Sequence, residues 1–230
     1  EEMRAQHDAV ERAAERHVSL ARRPLLIFTD SAADLPPEVV NAHGIHVVPL
    51  SLIYEGDVLR DGVDISPREF VERLLAGDHP TTSQPTPGSF LETMKRAAID
   101  GEESFGVILG SGLSGTFASA EAAAKRFTDT PVHLFDSRGA SLLQGLLALR
   151  AAELAEQATP PAEIVRRLTS IRSRSGIFFT VDTFDRLIAS GRVGRGRALL
   201  GTLLDIKPIL ALQSAGVVEP IARVRGAHKV

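Results

Sequence analysis

Two short segments rich in hydroxyl side chains carry the chemistry of this chain. Residues 80–88 read PTTSQPTPG and residues 110–116 read GSGLSGT. Together they hold seven Ser or Thr side chains and no acidic or basic residue. A site made of hydroxyls and backbone N–H groups is suited to one small anionic or polar head group, whereas a polyphosphate would call for cations or a metal.

The second segment is expected to join a strand to a helix. It follows the apolar run 105–109 and precedes the helix-compatible stretch 115–126. Glycines allow backbone N–H groups to approach a ligand, and a helix N-terminus favours negative charge. Ser111 and Ser114 are therefore candidates for ligand binding.

Other interpretations of both segments stay open. Residues 110–116 could be a turn that only caps its helix, or could hold a Ser nucleophile, for which His79 and His133 are the nearest bases in sequence. The segment has neither the Lys of a P-loop nor the G-x-S-x-G pattern of α/β-hydrolases. Residues 80–88 could be a solvated loop in which Thr86 caps the next helix.

Carboxylates and guanidinium groups form a weaker set of candidates. Asp30, Asp34 and Asp136 each follow a predicted strand, where α/β sheets place their ligands. No histidine lies near them in sequence to complete a set of metal ligands, so we expect these carboxylates to cap helices and order loops. No metal or cofactor is expected. Within the basic turn 191–197, Arg192 is the best candidate for a phosphate contact, and a simply solvated loop is the alternative.

Composition excludes several classes of function. The chain has 230 residues, a net charge of −3 and no cysteine, which argues against nucleic-acid binding, disulfides, thiolate metal sites and Cys nucleophiles. Its longest apolar run is too short for a transmembrane segment. We therefore expect a cytoplasmic protein.

The alternation of strand and helix patterns predicts an α/β fold with a parallel sheet covered on both faces. Residues 206–212 and 216–224 are expected to form a β-hairpin. One predicted helix carries a continuous apolar face, which we expect to be sandwiched in the core. Its residues are Leu142, Leu143, Leu146 and Leu147. Residues 1–23 predict a helical extension or linker, residues 24–165 an N-terminal α/β lobe, and residues 166–230 the start of a second one.

The order and spacing of several motifs resemble those of the DegV family of bacterial fatty-acid-binding proteins from about residue 25 onward. The matching stretches are TDSAADLP at 29–36, TSQP at 82–85, SGLSGT at 111–116, DS at 136–137, GRV at 191–193, KPIL at 207–210 and VRG at 224–226.

The resemblance implies a two-lobed α/β protein: an N-terminal lobe with a mainly parallel sheet flanked by helices, and a second, smaller α/β lobe with a β-hairpin. A long-chain fatty acid would lie in the cleft between them, its carboxylate held by Thr82 and Ser111, with Ser83 and Ser114 in support. The loop residues implied around this group are Thr29, Asp30, Ser31, Gly112, Gly115, Thr116, Asp136 and Ser137. Arg192 would lie near the cleft mouth, as a contact for phosphotransfer or for a partner.

The resemblance also implies a non-catalytic role. Family members present the acyl group to a fatty acid kinase that forms acyl-phosphate, and this kinase could be a separate protein or be fused upstream. Family chains continue through a His-x-Gly-Pro-Gly motif that this sequence does not contain, so the second lobe is expected to be incomplete. A transient contact with a membrane surface is an open alternative.

Two rival functions remain at this point. One is an enzyme acting on a phosphorylated small molecule through the Gly110–Thr116 loop and Arg192. The other is a structural module of a fused kinase, connected through residues 1–23. Bound phosphate at the loop would favour the first, and an upstream kinase-like domain would favour the second.

Overall fold

The computed structural model describes residues 25–100, 102–192, 206–212 and 218–225. Its strands are β1 (Leu25–Asp30), β2 (His46–Val48), β3 (Ser51–Tyr54), β4 (Asp57–Arg60), β5 (Thr81–Ser83), β6 (Glu103–Ile108), β7 (Val132–Asp136), β8 (Ile177–Phe179), β9 (Ile206–Leu212) and β10 (Val218–Arg225). Its helices are α1 (Pro37–His43), α2 (Pro67–Ala76), α3 (Pro87–Ile99), α4 (Thr116–Ala124), α5 (Ser141–Glu156), α6 (Pro161–Arg172) and α7 (Asp185–Ser190), and a 3₁₀ turn spans Ser31–Ala33.

A four-stranded parallel sheet forms the main layer, in the order β2-β1-β6-β7. All six residues of β1 are buried, as expected for a strand that helices cover on both faces. The α/β class predicted from the sequence, with a mainly parallel sheet flanked by helices, is confirmed. Both inner strands, β1 and β6, end beside the segments that carry the candidate site residues.

Each face of this sheet packs against its own pair of helices. On one face Leu147, Ile164 and Leu168 bring α5 and α6 onto the strands. On the other, Phe90 and Met94 of α3 pack with residues of α4. The hydroxyls of Ser66 and Thr86 cap α2 and α3, since each accepts a backbone N–H three residues later; for Thr86 this is the capping role left open by the sequence.

Two small antiparallel sheets complete the described residues, in the orders β4-β3-β5 and β10-β9-β8. The predicted hairpin is confirmed by the antiparallel pairing of β9 with β10, and its turn lies outside the described residues. Residues 81–83, expected in a loop, instead form β5 and pair with β3.

The expectation that four leucines of α5 form sandwiched core is wrong in part. Leu147 is fully buried, whereas Leu142 and Leu146 are 60% and 61% exposed. Only one side of α5 packs on the sheet, so these two side chains line a shallow groove that also contains Phe178.

The predicted division into lobes stays a prediction. The proposed boundary after residue 165 falls within α6, whose Ile164 and Leu168 both pack into the core of the parallel sheet. The extension predicted for residues 1–23 lies outside the described residues.

Gly145 lets α5 approach the 3₁₀ turn closely. A Cβ atom at this position would lie 2.5 Å from the carbonyl oxygen of Ala33. We expect Gly145→Ala to lower the free energy of unfolding by roughly 1–3 kcal/mol, because the backbone of the turn must shift. The measurement is urea denaturation followed by circular dichroism.

Gly88→Ala is the matched control in α3. Its Cβ would meet only the Thr86 hydroxyl, at 3.5 Å, an ordinary contact. Alanine is the better helix former, so stability should stay unchanged or rise by up to about 1 kcal/mol. A Gly145→Ala protein as stable as Gly88→Ala would contradict the close approach.

Candidate ligand-binding site

The loop 110–116 is held at its start by hydrogen bonds from two backbone N–H groups. The Leu109 N–H donates to Asp30 Oδ2 at 2.8 Å, and the Gly110 N–H donates to the Gly139 carbonyl at 2.8 Å. A Cβ atom on Gly110 would lie 2.9 Å from the Gly139 nitrogen, so only glycine fits there without a shift. The loop therefore begins at a fixed position against β1 and the residues after β7.

Asp30 is the buried anchor of this arrangement. Its Oδ1 atom accepts the Ala32 N–H at 3.1 Å, which confirms the predicted capping role. Burial raises the pKa of Asp30 to about 6, and hydrogen bonds from Leu109, Gln144 and Ala32 oppose that rise.

Three other residues that the resemblance placed around the head group also hydrogen-bond to backbone groups. The buried Thr29 hydroxyl donates to the Val107 carbonyl at 2.6 Å. Ser31 Oγ accepts the Leu50 N–H at 3.0 Å. Ser137 is also buried, and its hydroxyl bonds the Gly139 backbone. These side chains order the loops by hydrogen bonding to the backbone.

Ser111 is held by Asp136. Its hydroxyl donates to Asp136 Oδ2 at 2.6 Å, and its N–H donates to Asp136 Oδ1 at 3.1 Å. Oδ1 also accepts the Arg138 N–H at 2.9 Å. The proton of the Ser111 hydroxyl is therefore already engaged, and the oxygen offers a ligand its lone pairs.

Ser114 orders the start of α4. Its Oγ lies 2.9 Å from Thr116 Oγ1 and accepts the Thr116 N–H at 3.3 Å. Thr116 is buried. The N-cap position itself is Gly115, which has no side-chain cap, so the Ser114 hydroxyl orders the turn that leads into the helix.

The two hydroxyl-rich segments meet. A Cβ atom on Gly115 would lie 2.2 Å from Gln84 Oε1, so that side chain rests directly on the glycine. The Ser119 hydroxyl donates to the Pro85 carbonyl at 2.6 Å. Gly112 lies in the turn between the Ser111 and Ser114 positions.

Thr82 and Ser83 lie on the exposed strand β5, where Thr82 pairs with Leu52 of β3. Within the described part of the chain, no hydrogen bond engages the Thr82 hydroxyl. Successive residues of a strand point to opposite faces. Ser83 therefore faces away from the side on which Thr82 lies.

Thr82 borders a largely apolar cavity of about 750 Å³. Its wall also includes three aspartates, Asp30, Asp34 and Asp61, and contains no Lys or Arg from the described residues. Ser111 lies outside this lining. The apolar part is formed by Ala33, Leu35, Pro36, Pro37, Val40, Val47, Pro49, Leu52, Val63, Pro67 and Phe70.

Arg192 contacts the same loop. Its Nε donates to the Leu113 carbonyl at 3.3 Å and its Nη1 to the Ser190 carbonyl at 3.0 Å. The Leu113 side chain packs against Phe184 and Leu210, next to β9. Arg195 and Arg197 lie outside the described residues.

Within the described ranges, the hydroxyl of Ser111 is hydrogen-bonded to Asp136 and to neither His79 nor His133, the two bases considered from the sequence. His133 Nε2 pairs with Glu103 Oε2 at 2.7 Å, at the opposite end of the parallel strands from the loop. Across the described ranges, no three His, Cys, Asp or Glu side chains are grouped to hold a metal ion.

Sequence reasoning missed the part of the cavity that comes from the small sheet β4-β3-β5. Leu52, Asp61 and Phe70 belong to this region. The Glu55-Gly56 turn between β3 and β4 was the available signal, because a Gly-containing tight turn between apolar stretches is typical of a hairpin. Gln144, which donates to Thr29 Oγ1 at 3.0 Å, gave no sequence signal.

Comparison with known proteins places the chain in a family. A family model described as "Uncharacterised protein, DegV family" matches residues 24–230. The chain belongs to the DegV family. A DegV domain-containing protein of Deinococcus radiodurans is 40% identical over 206 residues, which cover 89% of this chain and 73% of that protein.

Two solved DegV structures are similar throughout the matched region. One is a DegV family protein of Thermus thermophilus whose structure is described in terms of fatty acid binding; it has a TM-score of 0.81 at 36% identity. DegV of Bacillus subtilis, described as a fatty acid binding protein, has a TM-score of 0.82 at 32% identity. Each match covers 90% of this chain and 73% of the solved chain.

None of the helices in the described ranges combines the length and hydrophobicity that a membrane span requires.

The buried Asp30 carboxyl predicts a pH dependence of stability. Its folded-state pKa of about 6 exceeds its ordinary value of 3.8, so the folded protein binds this proton more tightly than the unfolded chain. The free energy of unfolding should therefore fall as pH rises from about 4 to 6, by about 1–3 kcal/mol from this group.

Asp30→Asn should abolish that contribution. The measurement is urea denaturation of both proteins between pH 4 and 7.5, and the quantity of interest is their difference at each pH. His46, whose pKa burial lowers, is present in both proteins and cancels. Parallel profiles for the two proteins would contradict the assignment to Asp30.

Proposed function

We propose that this protein binds a long-chain fatty acid in the cytoplasm and presents its carboxyl group to a partner kinase that forms acyl-phosphate. The carboxyl group would lie between Thr82 and Ser111, and the acyl chain would enter the apolar cavity that Thr82 borders. The protein itself would catalyse no reaction.

The observation that carries this proposal is the contact between the two hydroxyl-rich segments next to an apolar cavity. Gln84 rests on Gly115, and Ser119 bonds Pro85. The volume of about 750 Å³ falls within the roughly 300–1,000 Å³ of small-molecule sites. A polar end beside an apolar chamber matches the chemistry of a fatty acid.

Burial of the acyl chain would supply most of the binding energy. About 15 methylenes gain roughly 0.8 kcal/mol each, or about 12 kcal/mol before costs. Ordering the chain and losing its free motion remove a large part of that gain. What remains is consistent with submicromolar affinity.

The relatives support the same ligand. The solved DegV proteins of Thermus thermophilus and Bacillus subtilis are described as binding fatty acids. Both resemble this chain over 90% of its length. The chain spans 73% of each, so activities of the whole relatives are carried over only as part of this proposal.

The proposed non-catalytic role is supported by the surroundings of Ser111. Its hydroxyl bonds a carboxylate, and His133 is paired with Glu103 away from the loop. A Ser nucleophile activated by histidine is therefore not assembled by the described residues. Arg192, exposed and in contact with the loop, is where we propose that the kinase or its phosphoryl group approaches.

The rival function, an enzyme for a phosphorylated small molecule, finds less support. The first N–H of α4 is already bonded by Ser114, and the adjacent cavity carries three aspartates. Both features disfavour a phosphate group bound at the loop.

Native mass spectrometry of the purified protein tests the ligand. We expect a bound mass of about that of a C16–C18 fatty acid, or uptake of added palmitic acid by ligand-free protein. A protein that carries no such mass and cannot be loaded would refute the proposal.

Thr82→Ala tests the head-group placement. We expect palmitic acid binding to weaken by roughly 1–3 kcal/mol, because a buried ligand oxygen loses its partner. Ser83→Ala is the matched control, since it removes a hydroxyl from the opposite face of the same strand. Equal losses in the two variants, measured by equilibrium dialysis, would show that the carboxyl group is not held by Thr82.

A further inference from the structure

The protonation state of the bound head group follows from the partners of Ser111. Ser111 donates its hydroxyl proton to Asp136 Oδ2 at 2.6 Å. A carboxylate accepts hydrogen bonds and cannot donate them. A ligand that reaches the Ser111 oxygen must therefore bring a proton of its own.

The charges around the ligand lead to the same requirement. Asp30, Asp34 and Asp61 line the cavity, without a Lys or Arg among its described lining residues. A carboxylate next to these groups would meet like charges, and none of the described lining residues would supply a counter-ion. A neutral head group avoids both costs.

Among the residues that the structure describes, three arginines lie near Asp136 or the loop. Arg172 of α6 donates to the Asp136 carbonyl and lies over the Phe135 ring, 4.7 Å from its centroid. Arg138 follows Asp136 in the same loop, and Arg192 donates to the carbonyls of Leu113 and Ser190. None of the three has a described hydrogen bond to the Ser111 or Thr82 side chain.

We infer, on the basis of the proposed function, that the site binds the protonated carboxylic acid, with the acid O–H donating to Ser111 Oγ and the Thr82 hydroxyl donating to the acid carbonyl. Asp136 is then a positioning residue that fixes Ser111 as an acceptor. The site selects a neutral head group with one O–H donor, a class that includes long-chain alcohols.

This selection has a measurable cost at neutral pH. A free carboxylic acid has a pKa near 4 to 5, so only about one molecule in 10² to 10³ is protonated at pH 7. The affinity of the site for total fatty acid should therefore fall about tenfold for each pH unit above 6. The affinity for an alcohol of equal length should not change.

Equilibrium dialysis of radiolabelled myristic acid, 1-tetradecanol and methyl myristate, between pH 6 and 8, tests this inference on the unmodified protein. We expect the tenfold slope for the acid, no slope for the alcohol, and weaker binding of the ester, which has no O–H. An acid affinity that is constant with pH and exceeds that of the alcohol at pH 8 would overturn the inference and leave the proposed function intact. Failure of all three ligands to bind would refute the proposed function itself.

Asp136→Asn reverses the hydrogen bond to Ser111 with little change of shape. The Asn oxygen keeps the N–H groups of Ser111 and Arg138, and the amide NH₂ replaces the acceptor Oδ2 and donates to Ser111 Oγ. The Ser111 proton is then available to the ligand. We expect the acid slope to flatten and acid binding at pH 8 to strengthen, whereas alcohol binding changes little because a hydroxyl can also accept from Ser111.

Ser111→Ala is the companion variant. It removes the acceptor oxygen and should therefore abolish the preference for alcohol over ester. If circular dichroism shows that Asp136→Asn does not fold, the slopes of the unmodified protein and the Ser111→Ala comparison decide the matter. An Asp136→Asn protein that keeps the tenfold slope would contradict the role assigned to Asp136.

Discussion

The hydrogen bond from the Leu109 N–H to the buried carboxylate of Asp30 is the constraint on which the site depends. The two residues are 79 positions apart, and the bond ties the end of β1 to the residue just before the loop 110–116. A buried carboxylate is costly unless its oxygens are satisfied. Asp30 meets this condition by accepting hydrogen bonds from backbone N–H groups. If the loop moved away, the buried carboxylate would lose the Leu109 hydrogen bond, which is energetically unfavourable.

A second carboxylate, Asp136, completes the arrangement at the next strand. It takes the hydroxyl and N–H of Ser111 and the N–H of Arg138. Together, the two aspartates set the position of the loop and the direction of its hydroxyls. Neutral hydroxyls are the groups proposed to contact the head group, whereas Asp136 lies behind Ser111 and three aspartates line the cavity.

The elements with strong local signals could be predicted from the sequence. The apolar run 105–109 corresponds to β6, and the possible cap at Thr86 marks the start of α3. The motif spacing gave the family. The sequence predicted that the two hydroxyl-rich segments share one ligand. It did not predict the specific contact between Gln84 and Gly115.

Other features depend on tertiary contacts that no short window of sequence contains. Leu142 and Leu146 were expected in the core because their type suits it, but the sheet covers only one side of α5. Thr81, Thr82 and Ser83 have the composition of a turn and become a strand because β3 offers them a partner edge. The Asp136 bond to Ser111 joins residues 25 positions apart, so the pairing cannot be recognised from the local sequence around either residue.

A crystal structure of the protein with palmitic acid tests the central claim most directly. The account predicts one carboxyl oxygen within hydrogen-bond distance of Ser111 Oγ, the other near Thr82 Oγ1, and the acyl chain in the cavity beside Leu52 and Phe70. A carboxyl group bound to arginine, or an acyl chain lying outside that cavity, would contradict it.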